Sequence, residues 1–126
     1  MDESKAKELL EEWFNGIYRQ DYGKKARATY AKLKVFSDSR TVSTERNLYE
    51  RARMVLKARG DFVEAEQDRR LVLAMGSGRH MTNPTIVELL FEESQLHISA
   101  WAKEGWIPQK SAPKAIELCL EDLKRI

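Results

Sequence analysis

The sequence predicts an all-α fold, a compact bundle of about five to six helices in a single domain spanning 1–126. Three observations predict it. Leu, Ala, Glu, Lys and Arg are abundant and only three prolines interrupt 126 residues, a composition that favours helix over sheet. Apolar residues recur at helical spacing through most of the chain. Clusters of turn and cap formers divide it at short intervals.

Each element follows in order. Leu9, Leu10, Trp13, Phe14, Ile17 and Tyr18 place an N-terminal amphipathic helix within 1–20, starting near Ser4 and weakened at Gln20-Asp21-Tyr22-Gly23. A basic helical region occupies 22–75. Its first helix carries Tyr22, Ala26, Tyr30, Leu33 and Phe36, and "SDSRTVST", residues 37–44, reads as the turn after it. A further helix from Ser43 or Thr44 to Arg59 would bury Leu48, Tyr49, Ala52, Val55 and Leu56, with Gly60 in the left-handed position after its end. Asp61 and Glu64 then resemble a capping box that restarts a helix bearing Phe62, Ala65, Leu71, Val72 and Met75. "GSGRHMT" breaks it. Residues 83–126 hold apolar core or oligomerisation helices: one from Asn83-Pro84 to near Gly105, and a last one capped by Ser111 with Pro113 in its first turn.

The net charge of +2 conceals an asymmetry. Residues 19–59 hold twelve Lys/Arg against four Asp/Glu, whereas the rest of the chain holds ten against sixteen. A basic middle with acidic flanks is how a nucleic-acid-binding surface looks in sequence; a solvated helix face rich in Lys and Arg looks the same. The candidate DNA-contacting residues are Lys24, Lys25, Arg27, Lys32, Lys34, Arg46, Arg51 and Arg53. Two short helices joined by "SDSRT" also make a helix-turn-helix-like pair possible.

Catalytic and metal chemistry finds no constellation here. His80 and His97 match no usual zinc spacing, and Cys119, between Leu118 and Leu120, reads as a small core hydrophobe. Glu92-Glu93 and Glu121-Asp122 are adjacent pairs that point apart around a helix. "GSGRH" lacks the Gly-Lys-Ser/Thr ending of a phosphate-binding loop. The expectation is a non-enzyme without cofactor or metal. One cysteine allows no intrachain disulfide, and no uninterrupted apolar run approaches the roughly 20 residues of a membrane span. A cytoplasmic setting, the host cytoplasm for a viral protein, is the default expectation.

The segment "TNPTIVELLFEESQLHISAWAKEGWIPQKSA", residues 82–112, resembles the end of a family of phage terminase small subunits. In that family an Asn-Pro pair opens a long helix, followed by a Gly-Leu-Thr-Pro-like stretch. Here the pair is Asn83-Pro84, and the later stretch reads Gly105-Trp106-Ile107-Pro108, with Trp-Ile departing from Leu-Thr. Upstream, Tyr30, Leu33, Glu45, Leu48 and Tyr49 fit the pattern loosely. The resemblance implies a viral DNA-packaging factor that binds double-stranded DNA, assembles with itself into a ring and regulates a terminase large subunit carrying the ATPase and nuclease. Leu90, Phe91, Ile98, Trp101 and Trp106 are then the candidate oligomer interface. Two other readings stay open: a small helical inhibitor or antitoxin-like regulator acting on a host protein, and a dimeric helix-turn-helix transcription regulator.

Overall fold

The computed structural model describes residues 1–17, 28–78, 81, 83–105 and 108–124. It overturns the all-α expectation. The elements run α1 (Glu3–Ile17), β1 (Lys34–Ser43), α2 (Tyr49–Leu56), β2 (Gly60–Glu66), β3 (Arg70–Ser77), β4 (Asn83–Phe91), β5 (Gln95–Glu104) and α3 (Ser111–Lys124). A further helical turn covers residues 28–31. The five strands form an antiparallel sheet in the order β1-β5-β4-β3-β2.

The helical region placed at 22–75 therefore contains three strands, and the one placed at 83–126 contains two. "SDSRT" lies inside β1 rather than between helices, which removes the helix-turn-helix-like pair. Asn83-Pro84 opens a strand, so the long helix implied by the terminase resemblance has no counterpart here. The cause is that β3 and β4 are covered on both faces: Leu71 to Met75 and Pro84 to Leu89 are buried without a break, and Thr85 and Glu88 are the polar members of the run. A strand sandwiched between helices needs no polar face, and its periodicity then resembles that of a buried helix.

The sheet is the middle of three layers. On one face, Tyr49, Ala52 and Leu56 of α2 join Ala112, Ala115, Ile116, Cys119 and Leu123 of α3. They cover Leu71, Leu73 and Met75, Val87, Leu89 and Phe91, and Leu96, Ile98 and Ala100. On the other face, Ala6, Leu9 and Leu10 of α1 pack with Tyr30 over Val72, Ala74, Ile86 and Trp101. Each fully buried Leu or Ile contributes about 1.5–3 kcal/mol. Gly60 starts β2 for a steric reason: a Cβ there would lie 2.0 Å from the Ala74 carbonyl oxygen.

The α1 face also carries charge. Lys103 is fully buried, and its Nζ donates to Glu11 Oε1 at 2.8 Å and to the Tyr30 and Ala31 carbonyls at 3.2 and 3.3 Å. Arg70 Nε and the Met1 amino group both donate to Glu88, at 2.7 and 2.8 Å. The Glu11 and Met1 pairs pin the α1 segment to the sheet, and Arg70 ties β3 to β4. Towards the opposite end of the same face, Ser39, Thr41, Glu66 and Leu90 remain exposed.

The N-terminus of α3 is fastened to the sheet through Ser111. Its hydroxyl donates to Glu104 Oε1 at 3.2 Å and accepts from Asn83 Nδ2 at 2.8 Å, while its carbonyl accepts from Ser77 Oγ at 2.7 Å. Asn83 therefore starts no helix of its own: it opens β4, and its side chain reaches across to Ser111 at the start of α3.

Candidate anion-binding cleft

The structure disperses the basic middle of the sequence. Lys24, Lys25 and Arg27 lie outside the described residues. Lys32 and Lys34 are exposed at the start of β1, and Arg46 follows its far end. A ten-residue strand separates them, which at about 3.3 Å per residue is roughly 30 Å. Arg51 and Arg53 stand two residues apart on α2, about 160° around its axis, so they occupy opposite flanks. No single patch unites the five described residues.

Several cations are already neutralised. Arg40 pairs with Glu117 at 3.3 Å, Arg70 with Glu88 and Glu64 at 2.7 and 3.2 Å, and Lys103 with Glu11 at 2.8 Å. Arg59 grips both Asp122 oxygens, at 2.7 and 2.9 Å. The Asp122 hydrogen bond raises the guanidinium pKa despite opposing burial. These three arginines and Lys103 clamp elements together.

Arg46 and Arg51 differ. With Lys124 they line one cleft of about 510 Å³, completed by Ser43, Thr44, Glu45, Leu48 and Leu123. Among the described residues none of these three cations has a carboxylate partner within ion-pair distance. The Thr44 hydroxyl oxygen is buried in the same region and finds no hydrogen-bond partner among those residues. A buried hydroxyl without a partner marks a place where water, an ion or a ligand completes the bonding.

The walls of the cleft are fixed locally. Thr44 N donates to the Ser94 carbonyl at 2.9 Å, tying the segment after β1 to the β4–β5 hairpin. Asn47 Oδ1 accepts from Tyr49 N at 2.9 Å, turning the chain into α2, and its Nδ2 donates to the Asp68 carbonyl at 2.9 Å. Arg51 Nε donates to the Leu123 carbonyl at 2.6 Å. That bond quiets one of the C-terminal carbonyls of α3, which would otherwise repel an anion. The N-terminal end of α2 contributes a favourable partial charge. Glu45 is the opposing carboxylate, so three cations face one acid.

A second arrangement on the open half of the sheet was not legible as a constellation in the sequence. Thr41 Oγ1 and His97 Nδ1 lie 2.9 Å apart, and His97 Nε2 and Glu92 Oε2 lie 2.6 Å apart. Hydroxyl, imidazole and carboxylate in a chain suit nucleophilic catalysis. Here the His97 and Glu92 side chains are 39% and 59% exposed, whereas such chemistry depends on excluding water. The chain is better described as a clip joining β1, β5 and the β4–β5 turn. No group of three or more His, Cys, Asp or Glu among the described residues could hold a metal ion.

Of the expected oligomer interface, Phe91, Ile98 and Trp101 are enclosed in the chain's own core, leaving Leu90 as an exposed member at 39%. The correction has the same origin as the fold: their side chains alternate across strands rather than around a helix. Trp106 and His80 lie outside the described residues. Cys119 is buried in the core as expected; burial, with Asp122 adding to it, pushes its thiol pKa up to about 12. No helix among the described residues is long and apolar enough to cross a membrane. Comparisons with protein-family models, curated proteins and solved structures give no match.

Proposed function

We propose that this protein is a non-catalytic nucleic-acid-binding factor that holds phosphates of the DNA backbone between Arg46, Arg51 and Lys124. The observation that carries the reading is their convergence on one cleft where, among the described residues, none of them has a carboxylate partner, beside a Thr44 hydroxyl with no hydrogen-bond partner among those residues. Guanidinium groups match phosphate oxygens in pairs, and a lysine adds a point charge. Contacts of this kind position a protein on DNA without reading bases. A DNA-packaging factor that hands DNA to a separate ATPase and nuclease subunit would use such contacts.

Fluorescence anisotropy with a labelled duplex across a salt series tests the reading. Each phosphate contact adds about 0.9 to the salt slope, so replacing Arg46, Arg51 and Lys124 with Ala should flatten it by about 2–3 and weaken binding. Replacing Lys32 and Lys34 should change it little. An unchanged slope in the triple variant would remove the cleft from the account.

A second reading is favoured by the open half of the α1 face, where Leu90 stands exposed among hydroxyl and acidic side chains. In that reading the chain regulates a protein partner docked on Leu90. Leu90→Arg would then abolish partner binding, and the unmodified protein would show no DNA affinity even at low salt.

A further inference from the structure

We propose that β1 is a self-association edge: two copies pair antiparallel about Ser39, joining their sheets into one of ten strands. β1 lies at one end of the sheet, and its ten residues pair with β5 in continuous register, without a shift. No described strand occupies its outer side. It contains no proline, the residue that blunts many edges. The opposite edge is defended: β2 breaks register between Phe62 and Glu64 and carries Asp61, Glu64 and Glu66, so self-pairing there would set carboxylates against a kinked strand.

The sequence of β1 selects its partner and its register. In a two-fold antiparallel pair, opposed side chains share a face, so the axis must pass where one residue meets itself. Centring on Asp38 opposes two aspartates, centring on Arg40 opposes two arginines, and centring on Ser37 sets Lys34 against Arg40. Centring on Ser39 places Asp38 opposite Arg40 of the second copy, twice by symmetry. It also places Phe36 opposite Val42 and Ser37 opposite Thr41, and residues 35–43 all find a partner. Opposite charges and apolar pairs directly across strands stabilise a ladder, whereas like charges destabilise it.

The surroundings fit this register. Phe36 is 47% exposed, an unusual position for a large aromatic. It borders a cleft of about 300 Å³ lined with Pro108, Ala112 and Pro113, and Val42 of the second copy would lie at its mouth. Asp38, Arg40, Phe36 and Val42 all point to the α3 side, where Glu117 already holds Arg40 at 3.3 Å. Each Arg40 would then sit between Glu117 of its own chain and Asp38 of the other. This inference does not depend on the cleft at Arg46.

Sedimentation equilibrium on the full chain, with charge reversals, tests it. The unmodified protein should be a dimer, and Asp38→Arg or Arg40→Asp alone should weaken the dimer about tenfold or more, because each creates two like-charge oppositions. The double variant Asp38→Arg/Arg40→Asp should restore it. Ser39→Cys should cross-link readily on oxidation, because residues directly opposed meet within disulfide reach. Ser37→Cys should not, since its two thiols would be four residues, about 13 Å, out of step along the strands. A monomer at 100 µM, folded single variants that dimerise normally, a folded double variant that stays monomeric, or equal cross-linking at positions 37 and 39 would each overturn the proposal.

Discussion

Replacing Glu11 should destabilise the fold more than replacing Lys103, although Lys103 is the buried partner of the pair. The Lys103 side chain is 0% exposed and the Glu11 side chain 34% exposed. Glu11→Ala leaves an ammonium in the core with the Tyr30 and Ala31 carbonyls and the Tyr30 ring, whose centroid is 4.9 Å from Nζ. Stranding a buried charge costs about 3–5 kcal/mol; the carbonyls and the ring face offset part of it, giving about 3 kcal/mol. Lys103→Met keeps the packed stem and releases Glu11 to water. It deprives two carbonyls of a donor, at about 1–2 kcal/mol. Urea unfolding followed by circular dichroism and tryptophan fluorescence measures both, and the larger loss should lower Tm by roughly 10 °C. If Lys103→Met costs as much as Glu11→Ala, the asymmetry of burial does not govern this pair.

Three further outcomes follow from the packing. Gly60→Ala drives a Cβ against the Ala74 carbonyl and should displace β2, costing roughly 2 kcal/mol or more; a urea midpoint within error of the parent would contradict the contact. Burial disfavours the Glu88 charge, but hydrogen bonds from the Met1 amino group and Arg70 outweigh it and hold its pKa below the ordinary carboxylate value. Its contribution is therefore present above the unfolded-state pKa of about 4.3 and lost as pH falls through the lower folded value. Glu88→Gln should accordingly be less stable than the parent at pH 7 and lose less further stability between pH 5 and 3. Cys119, its pKa pushed up to about 12, should resist a disulfide thiol reagent at pH 8 until urea unfolds the chain, and reaction at the free-thiol rate in the native protein would contradict its burial.

The helices at the two ends were legible because each has one apolar stripe and a start signal. Asp2 Oδ1 accepts from Lys5 N at 2.8 Å at the head of α1, and Ser111 and Pro113 open α3. The sheet was not legible, for two physical reasons. Its central strands are covered on both faces, so Thr85 to Phe91 shows no alternation. The β2–β3 and β4–β5 hairpins also lack the usual glycine and Asn-Gly signals: Gln67-Asp68-Arg69 turns through a left-handed Asp68 at φ 60, and Glu92-Glu93-Ser94 looks like the solvated face of a helix. In β1, Ser37, Asp38, Ser39 and Arg40 read as turn formers, although Thr41 and Val42 are β-formers. For the site, local charge density found Arg46 and Arg51. It could not find Lys124, which reaches the cleft only because α3 packs beside α2. Nor could it separate free cations from clamped ones, since Glu11, Glu88, Glu117 and Asp122 arrive from distant elements.

The strand edge and the basic cleft can be tested against each other, because β1 runs directly into the cleft at Ser43. In a pair centred on Ser39, the two copies of Ser43 stand eight residues out of step, about 27 Å along the strands. Thr44, Glu45 and Arg46 lie beyond them. The two-fold keeps both clefts on the α2–α3 side of the joined sheet. Their separation then approaches one turn of duplex DNA, about 34 Å, so one duplex could engage both. Linking two weak sites in this way raises affinity by a factor of about 100 or more without a new contact. Asp38→Arg adds positive charge, which on Coulomb grounds alone should tighten DNA binding, whereas Arg40→Asp should loosen it. If the dimer supplies the affinity, both variants weaken binding to a 20-base-pair duplex, and the double variant recovers it. Tighter binding by Asp38→Arg would show that the two sites act singly.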